Sequence, residues 1–224
     1  PFDIHGGGRD LVFPHHENEI AQSEGAFDVA FARYWIHNGF VNINQEKMSK
    51  SLGNVCTINE VLNRYDAAAL RHYILTSHYR SPLDFSDQGL AEAEKCVERI
   101  YETVDRLDCL PPSNGQVMPE GGLLEEYCRE MDDDFNTPRA IALMFEEIRA
   151  LNRLLDEGKT EGLISRRTAL RTVAESLGLL QDEPNKFFEK RKAEWLRRQG
   201  LSSESIEQLI CKRDQARSEK QWQE

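Results

Sequence analysis

The stretch FDIHGGGRDLVFPHHENEIAQS, from Phe2 to Ser23, combines a strand, a glycine run and a helix start in 22 residues. Residues 2–5 have the pattern of the end of a buried strand, and the three glycines at 6–8 interrupt it. A helix is predicted to begin near Pro14, since proline suits the first turn, and to end at Gly25. The glycines favour either a tight strand-to-helix turn or a backbone that approaches a ligand closely.

The chain continues with more strand signals. Trp35–His37 and Phe40–Ile43 read as two strands around a turn at Asn38-Gly39. A polar segment covers residues 45–54. Residues 1–55 are therefore predicted to be a mixed α/β region.

From Thr57 the apolar residues follow a helical period. Thr57 and Glu60 form a capping box, and Asp66 caps the next predicted helix. Two long amphipathic helices are predicted from stripes with steps of three and four. The stripes are Leu90, Ala93, Val97, Ile100, Val104 and Leu107, then Ile141, Met144, Ile148, Leu151 and Leu155. A third helix uses Leu170, Val173, Leu177 and Leu180.

Loops and composition divide the chain into four predicted parts. An α/β part covers 1–55, connecting helices 56–110, a helical bundle 111–185 and a charged helical tail 186–224. The break near 111 rests on the segment 110–122, which has three prolines and three glycines. The predicted fold class is an α/β remnant followed by a mainly α-helical bundle.

The charge balance argues against a general nucleic-acid coat. The chain has 28 basic and 39 acidic residues, a formal charge of −11, whereas phosphate binding depends on clustered Lys and Arg. The tail 186–224, with ten basic and seven acidic residues, favours a local basic face only weakly. Five widely spaced cysteines predict a reducing, cytoplasmic location without a disulfide framework. No apolar run approaches the roughly 18 residues that a membrane span needs.

The strongest chemical signal is Lys47-Met48-Ser49-Lys50-Ser51. Two ammonium groups and two hydroxyls on a short segment can gather around a polyphosphate, although most Lys/Ser stretches are solvated loops. A specified pentapeptide arises by chance in a chain of this length with a probability of about one in ten thousand. The functional interpretation is therefore favoured.

A second candidate is the pair His15 and Glu19. If the segment is helical, the two side chains lie four residues apart on one face and can share a metal. Taken alone, this spacing favours an ordinary side-chain pair, because two ligands do not make a zinc site.

Together these motifs resemble the class I aminoacyl-tRNA synthetases, and most closely the cysteinyl-tRNA synthetase family. The pentapeptide 47–51 matches that class letter for letter, and residues 2–23 match the cysteinyl family almost continuously. The resemblance implies the C-terminal part of a Rossmann-type catalytic domain. It also implies an ATP-dependent ligase that activates cysteine as cysteinyl-adenylate and transfers it to tRNA(Cys).

The resemblance assigns roles to individual residues. Lys47 and Lys50 are the expected catalytic residues, which stabilise charge on the departing pyrophosphate. The expected ATP-binding residues are Gly8, Asp10, Ser49, Lys50 and Ser51, with Mg²⁺ accompanying the nucleotide. His5 and Trp35 are expected in the substrate pocket, although Trp35 is also a reasonable core residue. His15 and Glu19 are expected zinc ligands, and zinc selects cysteine over serine because a thiolate is a tight ligand.

The resemblance also sets limits. No H-I-G-H-like string occurs in the sequence, and the family's two zinc cysteines lie upstream of the matching segment, so the chain alone is expected to be inactive. A non-catalytic tRNA- or protein-binding module and a mycothiol-type cysteine ligase are the alternatives. The parent enzyme is expected to be a monomer. The segments 78–81 and 131–138 also match the family, with an expected structural role in which Phe135 fills a core.

Overall fold

The computed structural model describes residues 1–43, 46–47, 56–111 and 122–218. Within it the chain divides into two compact units, Pro1–Gln181 and Asp182–Glu224. The first unit contains two small sheets and a bundle of helices, and the second contains two helices. This arrangement confirms the predicted fold class.

The first sheet is a pair of parallel strands whose connection contains one helix. Strand β1 (Phe2–Gly8) pairs with β2 (Ala32–Asn38), and helix α1 (Glu17–Phe27) lies between them in the chain. Irregular turns fill residues 9–16 and contain a cis Phe13–Pro14 bond. The regular α-helix begins at Glu17, three residues after the predicted Pro14, and Phe13, which precedes the proline, is extended with φ −136° and ψ 134°.

The second sheet has three short strands in the order β4-β3-β5. Strand β3 (Val41–Ile43) pairs antiparallel with β4 (Glu46–Lys47) and parallel with β5 (Leu83–Phe85). The two strands predicted around Asn38-Gly39 are present. They do not pair with each other, because β2 pairs with β1 and the chain crosses to a different sheet after Gly39.

Three helices lie next to the second sheet in the chain: two between β4 and β5, and one after β5. They are α2 (Ile58–Leu62), α3 (Ala67–Leu75) and α4 (Asp87–Asp108). The capping box of Thr57 is formed, with its side chain accepting from the Glu60 amide and Glu60 accepting from the Thr57 amide. The Asp66 side chain accepts from the Ala68 amide, so both predicted helix starts are confirmed.

The bundle is completed by α5 (Gly122–Asp132), α6 (Thr137–Asp156) and α7 (Leu163–Ser176). The predicted stripes of α4 and α6 are buried, except that Leu155 is half-buried. Phe135 does not fill a core. It is 49% exposed, and its φ of 54° places it in a left-handed turn before α6.

The second unit consists of α8 (Pro184–Gln199) and α9 (Ser203–Ser218), with Gly200 in the left-handed conformation that commonly ends a helix. Among the helices of the described ranges, none combines the length and the apolar character that crossing a membrane requires.

One buried polar side chain stands out in the first unit. His72 on α3 is only 4% exposed, and its ring meets Phe145 of α6 edge-on. Neither ring nitrogen has a hydrogen-bond partner in the part of the chain that the structure describes. Burial disfavours the charged ring and lowers the pKa of His72 from 6.5 to about 4.

His72 should therefore make stability depend on pH. The unfolded state takes up a proton near pH 6.5, whereas the folded state does so only near pH 4. Stability should fall as the pH drops through this window, by roughly 3 kcal/mol in all at 1.36 kcal/mol per pKa unit. His72→Leu should flatten the unfolding free energy between pH 6.5 and pH 4, measured by denaturant titration. The same variant at pH 7.5, where His72 is neutral in both states, is the control, and an unchanged slope would contradict this account.

Candidate active site and metal centre

The glycines at the end of β1 leave room for the side chains that follow them. A Cβ atom on Gly7 would lie 2.9 Å from Leu11 Cδ1 and 3.0 Å from His16 Cε1. A Cβ atom on Gly8 would lie within contact distance of the Asp10 carboxylate, so that carboxylate lies against the strand end. Gly8 and Asp10 are thus side by side at the carboxyl end of a parallel strand, where open α/β folds bind ligands.

An aromatic cluster lies on one side of the same strand pair. His5 and Trp35 are paired residues of the two strands, and their rings meet edge to face with centroids 4.9 Å apart. The ring of His16 contacts both. His37 lies two residues after Trp35, on the same face of β2, and its ring stacks on the indole. The predicted pocket residues His5 and Trp35 are therefore brought together.

His16 and His37 were not predicted as site residues. The nitrogen atoms His16 Nδ1 and His37 Nε2 are 2.9 Å apart, at hydrogen-bond distance. Burial first, and then the neighbouring rings of His37 and His5, lower the pKa of His16, which favours the neutral ring, the form that binds metals. A sequence signal for His37 did exist, since strand period places it beside Trp35.

Glu19 reaches into this cluster from the first turn of α1. Its Oε2 atom lies 2.9 Å from His5 Nε2, and its Oε1 atom lies 3.6 Å from His15 Nε2. The predicted pair His15 and Glu19 is therefore close in space, although the side chain of His15 is 61% exposed.

The burial and hydrogen bonding of the Glu19 carboxylate are those expected of a metal ligand. Its Oε2 atom is buried and forms no hydrogen bond in the described ranges, although His5 Nε2 lies 2.9 Å away. A buried acceptor without a donor is costly, and a cation removes that cost. His5, His16 and Glu19 each offer one ligand atom, and these atoms lie within 4.8 Å of one another. Imidazole nitrogen and carboxylate oxygen are ligands that zinc accepts, so the residues present fit that ion.

The lysine-rich pentapeptide is only partly described. The backbone of Lys47 lies in β4, where it pairs with Asn42 of β3. Ser49, Lys50 and Ser51 lie outside the described residues, and their predicted contacts with ATP stay predictions.

Comparison with known families gives the two parts of the first unit separate matches. The family described as tRNA synthetases class I (C) catalytic domain matches residues 1–95, and the DALR domain matches residues 126–181. The most similar curated relatives include several cysteine–tRNA ligases. Those from Trichlorobacter lovleyi and Geobacter metallireducens are 50% and 49% identical over 99% of this chain. That from Geobacter sulfurreducens is 51% identical over 96% of it.

The chain belongs to the cysteinyl-tRNA synthetase family.

It spans about half the length of these relatives, 49% of the first two and 47% of the third. A solved structure, the ternary complex of Agrobacterium radiobacter K84 LeuRS with tRNA and LeuAMS, supports the fold. It superposes with a TM-score of 0.57 at 21% identity and covers 80% of this chain and 25% of that one.

The agreement between these residues and the ligands of zinc leads to a prediction about metal binding by this chain. The 224 residues should bind zinc weakly, because the described cluster offers three ligands and closed sites use four. Glu19→Gln should weaken Co²⁺ or Zn²⁺ binding by more than the roughly 10- to 100-fold that loss of an outer partner costs. Competition with a coloured chelator measures the affinity.

Glu17→Gln, on an exposed residue of the same helix turn, is the matched control and should bind like the unmodified chain. Equal losses in both variants would exclude Glu19 as a ligand. Zinc that survives dialysis against a mild chelator would mean that a further group completes the shell.

Proposed function

We propose that the chain is the part of a cysteine–tRNA ligase that holds the thiol-recognising side of the pocket, half of the ATP site and the first tRNA-binding helices. One observation carries the proposal: the buried, donorless Glu19 oxygen lies beside His5 and His16 at the strand pair whose end holds Gly8 and Asp10. A candidate metal centre and a candidate nucleotide-binding end thus share one small sheet.

On the cysteine side, His5, His16 and Glu19 are the described residues that would hold zinc, with His15 as the predicted alternative or additional ligand. Bound zinc would supply a Lewis acid that accepts the substrate thiolate and so rejects serine. The ring of Trp35 contacts the rings of His5 and His16. His37 holds His16 through the contact between Nδ1 and Nε2, which fixes the ring orientation.

On the ATP side, Asp10 is proposed to hold the ribose while Gly8 lets the nucleotide approach the backbone. Lys47 and Lys50, with Ser49 and Ser51, are proposed to bind the phosphates that Mg²⁺ accompanies. Attack of the cysteine carboxylate on the α-phosphorus forms cysteinyl-adenylate and releases pyrophosphate. Ammonium groups near the leaving oxygens meet the charge that develops there.

The proposed tRNA side is the helical region, since residues 126–181 match the DALR domain. tRNA(Cys) is the proposed partner, by analogy with the names of the relatives. Arginines are frequent on the bundle, but several of them are paired with acids, such as Arg166 with Glu147. Monomeric state and cytoplasmic location stay predictions from the sequence.

A non-catalytic tRNA-binding module is the second candidate, because the chain spans about half the length of its relatives. Cysteine-dependent ATP–pyrophosphate exchange separates the two. The complete synthetase, meaning the polypeptide of its relatives' length that contains these 224 residues, should support exchange with cysteine and not with serine. We expect the 224 residues by themselves to support none. Absence of exchange by the complete polypeptide would favour the binding module.

Lys50 should act on the rate of this exchange. Its ammonium meets more negative charge in the transition state than in bound ATP, so Lys50→Ala should lower kcat roughly 100- to 1000-fold, or about 3–4 kcal/mol. Lys50→Arg should restore part of the rate, because a planar fork replaces a compact charge. Lys159→Ala, on an exposed lysine of the bundle, is the control. An intact kcat with weaker cysteine affinity would assign the pentapeptide to substrate recognition instead.

A further inference from the structure

The segment His78–Ser81, between α3 and β5, closes onto the chain where it passes from β2 to β3. The Gly39 amide donates to the Tyr79 carbonyl at 2.7 Å, and the Leu83 amide donates to the Phe40 carbonyl at 2.9 Å. A Cβ atom on Gly39 would overlap the Ser81 carbonyl, so only glycine permits this approach. The segment is therefore joined by backbone contacts to the start of β3.

The same segment is tied from the other side by one carboxylate of the bundle. Asp134, in the turn between α5 and α6, accepts from Tyr79 Oη at 2.6 Å and from Arg80 Nε and Nη2 at 2.5 and 2.9 Å. The guanidinium also lies 5.1 Å from the centre of the Tyr79 ring. These donors, Arg80 first and Tyr79 second, hold the pKa of Asp134 well below its usual range.

The backbone around Asp134 is built to aim that carboxylate. Asp134 and Phe135 have φ values of 56° and 54°, a left-handed pair without glycine. Such residues persist where the surroundings over-determine them. Here the Phe135 amide donates to Met131 and the Asn136 amide to Glu130, which fixes the turn to the end of α5.

The connection continues from the segment to Lys47. Strand β5 begins two residues after Ser81 and pairs with β3 in the register Val41 to Leu83. Strand β3 in turn pairs with β4, with Asn42 opposite Lys47. The three-stranded sheet thus lies between the Asp134 contact and a lysine that is proposed to act in catalysis.

We propose that Asp134 is a positioning residue for cysteine activation: through Tyr79 and Arg80 its carboxylate holds residues 78–81, and through them the sheet that carries Lys47. The inference rests on the proposed function. It makes the adenylation rate depend on a residue of the bundle that touches no substrate. It also makes one acidic side chain of the turn between α5 and α6 part of the joint between the sheet and the bundle.

Asp134→Asn isolates the charge, because asparagine tolerates the left-handed conformation and keeps the shape of the side chain. Asp108→Asn is the matched control: Asp108 also accepts from arginines, Arg167 and Arg171, and is 32% exposed against 41% for Asp134. Asp108 joins α4 to α7 within the bundle and has no contact with the sheet among its described partners.

In the complete synthetase, Asp134→Asn should lower kcat of pyrophosphate exchange roughly 10- to 100-fold, the cost of displacing a reacting group by about 1 Å. KM for cysteine should stay within about twofold, because zinc-side contacts are untouched. Tyr79→Phe, which removes one donor and keeps Arg80, should give a smaller loss. Asp108→Asn should leave both constants unchanged.

Hydrogen exchange provides a second readout that needs no activity. In Asp134→Asn the amides of Gly39, Leu83 and β3 should exchange faster at an unchanged midpoint of global unfolding, whereas Asp108→Asn should leave them protected. Unchanged protection and kcat in Asp134→Asn would overturn the inference, and so would equal kcat losses in the two variants. If the unmodified synthetase shows no ATP–pyrophosphate exchange, the proposed function fails. The protection of the amides from hydrogen exchange then still decides whether Asp134 holds the sheet.

Discussion

The space left by the missing side chain of Gly7 is occupied by Leu11 and by the ring of His16. Because that ring sits against the strand, the irregular turn before α1 can fold back onto the sheet and deliver Glu19 from the helix start to His5. A larger residue at position 7 would push His16 away from Trp35 and separate the three potential metal ligands. The geometry of the whole cluster therefore depends on one close approach between a strand and the residue that begins a helix.

A second close approach, at Gly39, sets the architecture beyond the first sheet. It lets residues 78–81 lie against the end of β2, so that β5 can join β3 although Val41 and Leu83 lie 42 positions apart in the chain. The sheet of β3, β4 and β5 is too small to be stable alone and gains its rigidity from these neighbours. Tyr73 of α3 contributes as well, since its hydroxyl donates to the Asp84 carbonyl and accepts from the Ser86 amide.

Features with a local cause could be predicted from the sequence. The caps at Thr57 and Asp66 and the stripes of α4 and α6 each follow from neighbours within one or two helical turns. The start of α1 was placed too early, because a proline suits both a first turn and the irregular turn that is present. The two strands around Asn38-Gly39 were predicted, but their partners were not, because strand period reveals a strand and not its partner.

Contacts between distant segments had no local signal. Arg80 and Asp134 lie 54 residues apart, and nothing in either segment specifies the other, so Phe135 was interpreted as a core residue when the turn in fact exposes it. His16 was passed over for the same reason: its role depends on Gly7 and on His37, 21 residues away. The pair His15 and Glu19 could be proposed because four residues on a helix is a local spacing, while the approach of His5 to Glu19 required the fold.

The two acidic side chains that organise this unit differ in how the protein satisfies them. Asp134 is 41% exposed and accepts three hydrogen bonds from two side chains, so its charge is already balanced and its use is to hold segments together. Glu19 places Oε2 in a buried position with no donor in the described ranges. A buried carboxylate oxygen without a hydrogen bond is costly, and a divalent cation beside it removes that cost. The difference in hydrogen bonding, rather than the acidic residue type, separates a structural joint from a place for a ligand.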